Sequence, residues 1–214
     1  MSTKPLLEIL HTDPAFVVVN KISGMLATPG RGADKVDSVT DRVRRMFPGC
    51  IEQPAVHRLD MDTSGLMVVA RTAEAHRHLS LQFQNRQTKK RYIALLDGIL
   101  EGDAGTIELP FRLDLDNRPL QIHDEVHGKM GTTHWKKLAV ENGRTRIEFI
   151  PVTGRTHQLR LHAHHEKGLG IPIVGDPFYG TGTKPGELLL HACELTFAHP
   201  VTEEPLSFHS EPDF

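Results

Sequence analysis

Cysteine is scarce in this chain: Cys50 and Cys193 are the two among 214 residues, too few and too far apart for a disulfide framework or a Cys-x-x-Cys metal knuckle. That usage fits a reducing, intracellular setting. No apolar run approaches the roughly eighteen residues a membrane-spanning helix needs. The stretch from Met1 to Leu10 lacks the apolar core and small-residue cleavage site of a signal peptide, so the cytoplasm is the expected location. Aromatic residues make up 6%, which argues against an extended platform for stacking single strands. Three signatures are missing as well. There is no Gly-x-Ser-x-Gly elbow for a serine nucleophile. The segment from Gly24 to Lys35 lacks phosphate-loop spacing. No Gly-x-Gly-x-x-Gly follows a strand, so a dinucleotide cofactor is not expected and side chains alone should carry any chemistry.

What is present is the composition of a soluble globular protein, 38% hydrophobic and 24% charged, long enough to bury a core without staples. No repeat, low-complexity tract or long Pro/Gly/Ser linker divides the chain, so a single domain over residues 1–214 is expected. The net charge of −2 weakens any case for strong nucleic-acid affinity. Its distribution restores part of that case. Residues 1–100 hold 14 Lys/Arg against 10 Asp/Glu, whereas residues 101–214 hold 11 against 17. The basic half contains Arg42-Val-Arg44-Arg45 and Arg86-Gln-Thr-Lys89-Lys90-Arg91. These clusters suit a polyanion; from charge alone, solvated surface is the commoner explanation.

Phe16–Asn20 and Leu66–Ala70 are β-branched or apolar runs that read as strands. Thr72 suits an N-cap, and Ala75, Leu79 and Phe83 recur every fourth residue, predicting a helix that fades near Asn85. Tyr92–Leu96 reads as a strand closed by Asp97-Gly98, a hairpin-type turn. Further strands are expected at Thr106–Leu109, Thr132–Leu138, Arg144–Ile150, Leu188–Leu190 and Glu194–Phe197. A helix is expected from His157 to Lys167, with Gly168 to end it. Many short strands, few helices and no regular β-α-β alternation indicate an α+β fold with a mainly antiparallel sheet.

Two segments concentrate functional side chains. Residues 56–65, Val-His-Arg-Leu-Asp-Met-Asp-Thr-Ser-Gly, precede a strand; turn chemistry explains part of this, and a partly buried carboxylate there would need a cation nearby to stay ionised. Residues 151–160, Pro-Val-Thr-Gly-Arg-Thr-His-Gln-Leu-Arg, place Gly154 and Arg155 at a helix start, where backbone N–H groups and a cation can hold an anion. A capped helix whose arginine pairs with a nearby aspartate fits the same spacing. The histidines do not suggest a metal: His157 and His162 are five apart, His162, His164 and His165 diverge, and so do His76 and His78.

His57-Arg58-Leu59-Asp60-Met-Asp-Thr-Ser-Gly65 strongly resembles the signature of the RluA-type RNA pseudouridine synthases. It is followed in the expected order by Lys89-Lys90-Arg91-Tyr92, Asn117-Arg118-Pro119, Gly154–Arg160, Gly175-Asp176-Pro-Phe-Tyr179 and Leu188-Leu-Leu-His191-Ala192. The resemblance runs from about Phe16 to Phe197. It implies the pseudouridine synthase fold, a mixed, mostly antiparallel sheet with flanking helices and loops. It also implies conversion of uridine to pseudouridine in structured RNA with neither cofactor nor metal. By the same resemblance Asp60 is the catalytic aspartate, Arg155 its cationic partner and Tyr92 the residue that stacks on the target base. Arg58 would fill the space left by an extruded nucleotide, and Leu190 would form part of the pocket's hydrophobic wall. Lys89, Lys90 and Arg91, just before Tyr92, become expected phosphate contacts. The pattern is most similar to short members without an N-terminal S4-like domain, which modify ribosomal RNA and the anticodon stem-loop of tRNA. The acidic net charge and the weakly basic Gln121-Ile122-His123 depart from the pattern and bear on the RNA target. A monomer acting on RNA is expected, with neither DNA nor membrane as partner.

Two other classes compete. One is an RNA-binding or RNA-folding protein without catalysis, against which Asp60, Tyr92 and Arg155 all being present speaks. The other is a hydrolase using Asp60 with Asp62. Residues two apart on an extended strand face opposite sides, which disfavours that pair.

Overall fold

The structure is a computed structural model that describes residues 7–30, 32 and 35–214. Most of the segment that lacks a signal-peptide pattern, residues 1–6, lies outside the described residues. The chain separates into two compact units: residues up to Lys89 with Ala192–Pro212, and Lys90–His191 with the last two residues.

The first unit contains strands β1 (Glu8–Thr12), β2 (Phe16–Lys21) and β3 (Ser64–Ala70), and helices α1 (Val39–Met46) and α2 (Ala73–Gln84). It also holds most of β9 (Leu190–Ala198) and all of β10 (Pro205–His209). The strand order is β1-β2-β3-β9, with β10 also paired to β9. β2 runs antiparallel to β1 and to β3, in register from Phe16↔Ala70 to Lys21↔Gly65. Residues 16–19 of β2 are fully buried, as expected of a β-branched run enclosed on both faces. The α2 stripe is as predicted: Ala75 and Leu79 join Phe16, Val18, Leu66, Val68, Leu195 and Phe197 in one core, with Phe83 packed against it. Phe16 and Phe197 meet edge-on at 5.4 Å, an arrangement favoured by the ring quadrupoles. Thr72 caps α2 by accepting the Ala75 N–H. Gln82, also buried on α2, accepts from the Ala198 N–H at 2.7 Å and donates to its carbonyl at 2.8 Å, so its amide acts as one more strand residue.

The second unit contains β4 (Lys89–Leu96) from Lys90 onward, β5 (Ala104–Leu113), β6 (Gln121–His123), β7 (Lys129–Glu141), β8 (Arg144–Pro151) and α3 (Gln158–His164). The order is β4-β8-β7-β5-β6, antiparallel throughout. Asn142 and Gly143, both with positive φ, turn β7 into β8, the backbone a tight hairpin requires. Asp97-Gly98 does not make the predicted hairpin. β4 pairs with β8 and β5 with β7, and the Asp97 N–H is taken by the Pro172 carbonyl. α3 is shorter than predicted, ending at His164. Leu169 and Ile171 then donate to the carbonyls of His162 and Ala163, which satisfies the helix end without Gly168 as its cap. The two predicted late strands are one, β9, which leaves Leu188 outside.

Candidate active site

In the first unit, the segment His57–Gly65 is anchored residue by residue. His57 stacks on Phe83 with ring centroids 4.3 Å apart, and its Nε2 accepts the Val68 N–H at 3.0 Å. Arg58 is exposed and Leu59 is buried. Asp60 opens a turn whose carbonyl accepts the Thr63 N–H at 3.2 Å. Its carboxylate-bearing side chain is half-buried, whereas Asp62 is buried. The two aspartates therefore share a turn rather than alternating along a strand, so burial rather than strand geometry gives them different surroundings.

Lys21, at the end of β2, is fully buried and fastens this turn from below. Its ammonium donates to the carbonyls of Met61 at 2.7 Å, Met25 at 2.8 Å and Ile22 at 3.1 Å. Burial pushes that ammonium down to about 7, while the carboxylates of Asp62 and Asp60 pull it back up. The Ser23 hydroxyl adds a hydrogen bond to the Asp62 carbonyl. At the far end, Gly65 has φ +109°, and a Cβ there would lie 2.4 Å from the Ala192 carbonyl oxygen, so no larger residue fits. Asp60 thus sits on a main chain fixed at both sides.

In the second unit, Arg155 lies in the turn from β8 to α3. Gln158 holds that turn: its Oε1 accepts from the Thr153 hydroxyl (2.7 Å) and the Arg155 N–H (3.2 Å). Its Nε2 donates to the Thr132 carbonyl (3.1 Å) and the Thr133 hydroxyl (2.9 Å). The predicted anion cradle at a helix start is therefore absent in that form, because the Arg155 N–H is already used and α3 begins only at Gln158. Before it, His157 adopts a left-handed conformation, with Nδ1 3.0 Å from the Tyr179 hydroxyl, which in turn accepts the Gln121 N–H. The Arg155 side chain donates through Nε to the Met130 carbonyl at 2.7 Å, which fixes the plane of the guanidinium.

Strand alternation sorts the basic cluster around Tyr92. Lys90, Tyr92, Ala94 and Leu96 share one face of β4. Tyr92 packs against the core that contains Ala94, Leu96, Leu159 and buried Leu190, so the structure brings Tyr92 and Leu190 into one cluster. The Lys90 ammonium passes beside the Arg155 turn, 3.5 Å from where a Cβ on Gly154 would stand. Arg91 lies on the opposite face and pairs with Glu148 at 3.3 Å. Lys89 is exposed.

Deeper in this unit, Arg160 and Asp176 form a buried two-point ion pair at 2.8 and 2.7 Å. Asp176 also accepts the N–H groups of Phe178 and Tyr179, which shapes the Gly175–Tyr179 segment. Lys21, Gln158 and Tyr179 thus hold the candidate residues in place; Lys21 has no signal in the sequence, and Gln158 and Tyr179 stand there only as members of longer motifs without a role of their own. Their partners are up to 58 residues away, a separation that no local pattern reports. Among the described residues, no group of three His, Cys, Asp or Glu side chains is placed to hold a metal ion.

Residues 15–165 match the family described as RNA pseudouridylate synthase. The dual-specificity RNA pseudouridine synthase RluA of Haemophilus influenzae is 45% identical over 215 residues, covering 99% of this chain and 95% of that protein. The protein of the same name from Escherichia coli is 40% identical over 215 residues, with the same coverage of 99% and 95%. Among solved structures, human RNA Pseudouridylate Synthase Domain Containing 1 matches with a TM-score of 0.77 at 28% identity, over 100% of this chain and 87% of that one. Human RNA Pseudouridylate Synthase Domain Containing 4 shares the fold, with a TM-score of 0.73 at 24% identity over 96% and 88% of the two chains. The expected α+β synthase fold is therefore the observed one. Identity at this level along nearly the whole length means that the chain belongs to the RluA-type family of RNA pseudouridine synthases.

Proposed function

We infer that the protein isomerises uridine to pseudouridine in structured RNA, and we propose Asp60 as the residue that engages the target nucleotide. The C1′–N1 glycosidic bond breaks, uracil turns, and a C1′–C5 bond forms while C5 loses its proton and N1 gains one. Atoms and electrons balance within the nucleotide, so the reaction consumes no oxidant, reductant or group donor. The observation that carries the reading is the anchored turn at Asp60 in a chain of this family. A nucleophile must be held in attack geometry before substrate arrives, and Lys21, Ser23 and Gly65 fix its main chain.

In the RNA complex, Arg155 supplies the cation opposite Asp60; its Nε tether to Met130 presents the rest of the guanidinium in a fixed plane. Tyr92 stacks on the target base, with Leu190 as part of the apolar wall. Arg58, exposed two residues before Asp60, fills the gap left by the extruded nucleotide. Lys90 contacts phosphate beside the site, with Lys89 and Arg91 contributing less. Ribosomal RNA of the large subunit and the tRNA anticodon stem-loop are the proposed substrates, in keeping with the dual specificity named for the relatives. The proposed setting is the cytoplasm, with the protein acting as a monomer and the whole chain as one catalytic domain.

The test is tritium release from RNA labelled at uracil C5, run on tRNA and ribosomal RNA fragments in parallel. Wild type should release tritium from both. Asp60→Asn, which removes the nucleophile but little volume, should release none while retaining RNA binding. Turnover by Asp60→Asn would overturn the assignment. RNA binding without release by wild type would favour a non-catalytic RNA-binding protein.

A further inference from the structure

The first unit contains a cavity of about 340 Å³ lined by residues that the proposed chemistry does not use. Its walls are Thr28 and Pro29, Thr40 and Arg44 of α1, the segment Glu52–Ala55, and His76 of α2. Each wall is stitched in place. Thr40 donates its N–H to the Ala27 carbonyl and Val39 to the Leu26 carbonyl, binding the first turn of α1 to the segment before Thr28. Ala70 donates to the Pro54 carbonyl, Ala55 bridges to Val69, and a ring nitrogen of His76 lies 3.2 Å from the Ala55 carbonyl. The cavity is therefore formed before any ligand arrives.

Ion pairing on α1 selects the cation that serves it. Arg42 is held by Asp37 at 2.8 Å and Arg45 by Asp41 at 2.9 Å. Arg44 has no ion pair among the described residues, is exposed, and is the arginine of the three that lines the cavity. With it the lining holds Thr28, Thr40, Gln53, His76 and Glu52, residue types that carry donors and acceptors, and Pro29 and Pro54, whose rings are flat and apolar. One cation for a phosphate, flat faces for a ring and mixed donors and acceptors for its edge describe a nucleotide site. The carboxylate favours a base with an exocyclic amino group, as a carboxylate accepts from the cytosine amine in base readout. The lining segment also leads toward the turn at Asp60: Arg58 is three residues beyond Ala55, at most about 10 Å along the chain.

We propose that this cavity holds an amino-bearing nucleotide of the RNA substrate that flanks the target uridine, with Arg44 on its phosphate. This rests on the reading of the protein as an RNA-modifying enzyme, but its test reads binding and needs no turnover. Binding of a labelled tRNA anticodon stem-loop is measured against salt for wild type, Arg44→Ala and Arg45→Ala. Arg44→Ala should weaken binding about tenfold and flatten the log–log salt slope by roughly 0.7 to 0.9, the loss of one phosphate contact. Arg45→Ala should bind like wild type. Equal losses in both variants would reduce the cavity to diffuse charge and overturn the proposal, as would wild-type affinity in Arg44→Ala. In a second measurement, cytidine 5′-monophosphate should shift the NMR signals of the His76 ring more than uridine 5′-monophosphate does, and Arg44→Ala should abolish the shift. No shift, or equal shifts from the two nucleotides, would also overturn it. A wild type that binds RNA through Arg44 yet releases no tritium would sink the catalytic reading and leave the cavity standing.

Discussion

Two buried residues of opposite hydrogen-bonding status define the energetics at the residue scale. Lys21 donates to three carbonyls around the Asp60 turn. Lys21→Met would fill much of the same space but orphan those acceptors, at a cost of about 2–4 kcal/mol after the recovered cost of burying the charge. Urea unfolding should show that loss, and tritium release should fall further than stability accounts for, because the Met61 carbonyl would no longer be pinned. Full activity in a destabilised Lys21→Met would separate the lysine from the site. His162 is the opposite case: it is fully buried, and neither ring nitrogen has a partner among the described residues. Burial pushes its imidazolium down to about 4 from 6.5. Between those values the unfolded chain binds the proton and the folded one does not. The stability is therefore complete above 6.5 and is lost as pH falls toward 4, by roughly 3 kcal/mol. Unfolding measured from pH 7 to 4 should show this decline, and His162→Leu should flatten it; an unchanged acid profile in the variant would place the decline elsewhere. The candidate segment stands out in the sequence because His57–Gly65 is contiguous. Lys21 does not, because its bond to Met61 spans 40 positions and depends on how β2 and the turn meet.

A strand's two-residue period decides more at the element scale than the charge of a cluster does. Lys89, Lys90 and Arg91 look alike in sequence, yet β4 turns Lys90 toward Tyr92's face and Arg91 toward Glu148. Lys90→Ala should lower both RNA affinity and the single-turnover rate about tenfold, whereas Lys89→Ala should change either by less than about threefold. Arg91→Ala should mainly remove a half-exposed ion pair, worth under about 1 kcal/mol of stability. Equal effects of Lys89→Ala and Lys90→Ala would show that the strand face does not select the contact. The strands at Phe16 and Leu66 and the α2 stripe were readable because their patterns are local and their burial extreme. β1 and β10 were not read; each is short and alternates exposed with half-buried residues, leaving little apolar signal. α1 has a Ser38 cap, with its hydroxyl accepting the Asp41 N–H, but Val39 and Val43 are its main apolar residues in the core. The Asp97-Gly98 reading failed for another reason. A turn signal states that the chain reverses, and only the pairing of β4 with distant β8 decides which strand it meets.

Charge gives the whole molecule its strongest constraint on RNA binding. The net charge is −2, and much of the positive charge is committed internally. Arg42, Arg45, Arg91, Arg112, Lys137, Arg144, Arg146, Arg160 and Lys167 all pair with carboxylates. Binding therefore depends on a few placed cations rather than on a broad field. Arg44 and Lys90 carry the main proposed phosphate contacts, Lys89 and Arg91 contribute less, and Arg58 brings a third full charge against the backbone where the nucleotide is extruded. Each phosphate neutralised contributes about 0.7 to 0.9 to the salt slope, so the logarithm of the association constant should fall against the logarithm of salt with a slope of roughly −2 to −3. The same stem-loop titrated from low to physiological salt measures it. A slope steeper than about −5 would mean that RNA breaks the internal ion pairs and recruits their arginines, and a slope near zero would remove phosphate contact from the recognition altogether. With so few contacts, sequence-independent attraction is weak, and RNA shape together with the proposed nucleotide cavity must supply the discrimination. The double variant Arg44→Ala/Lys90→Ala should accordingly retain a slope of about −1 and bind all RNA more weakly, while still preferring structured over unstructured RNA through the shape readout that remains.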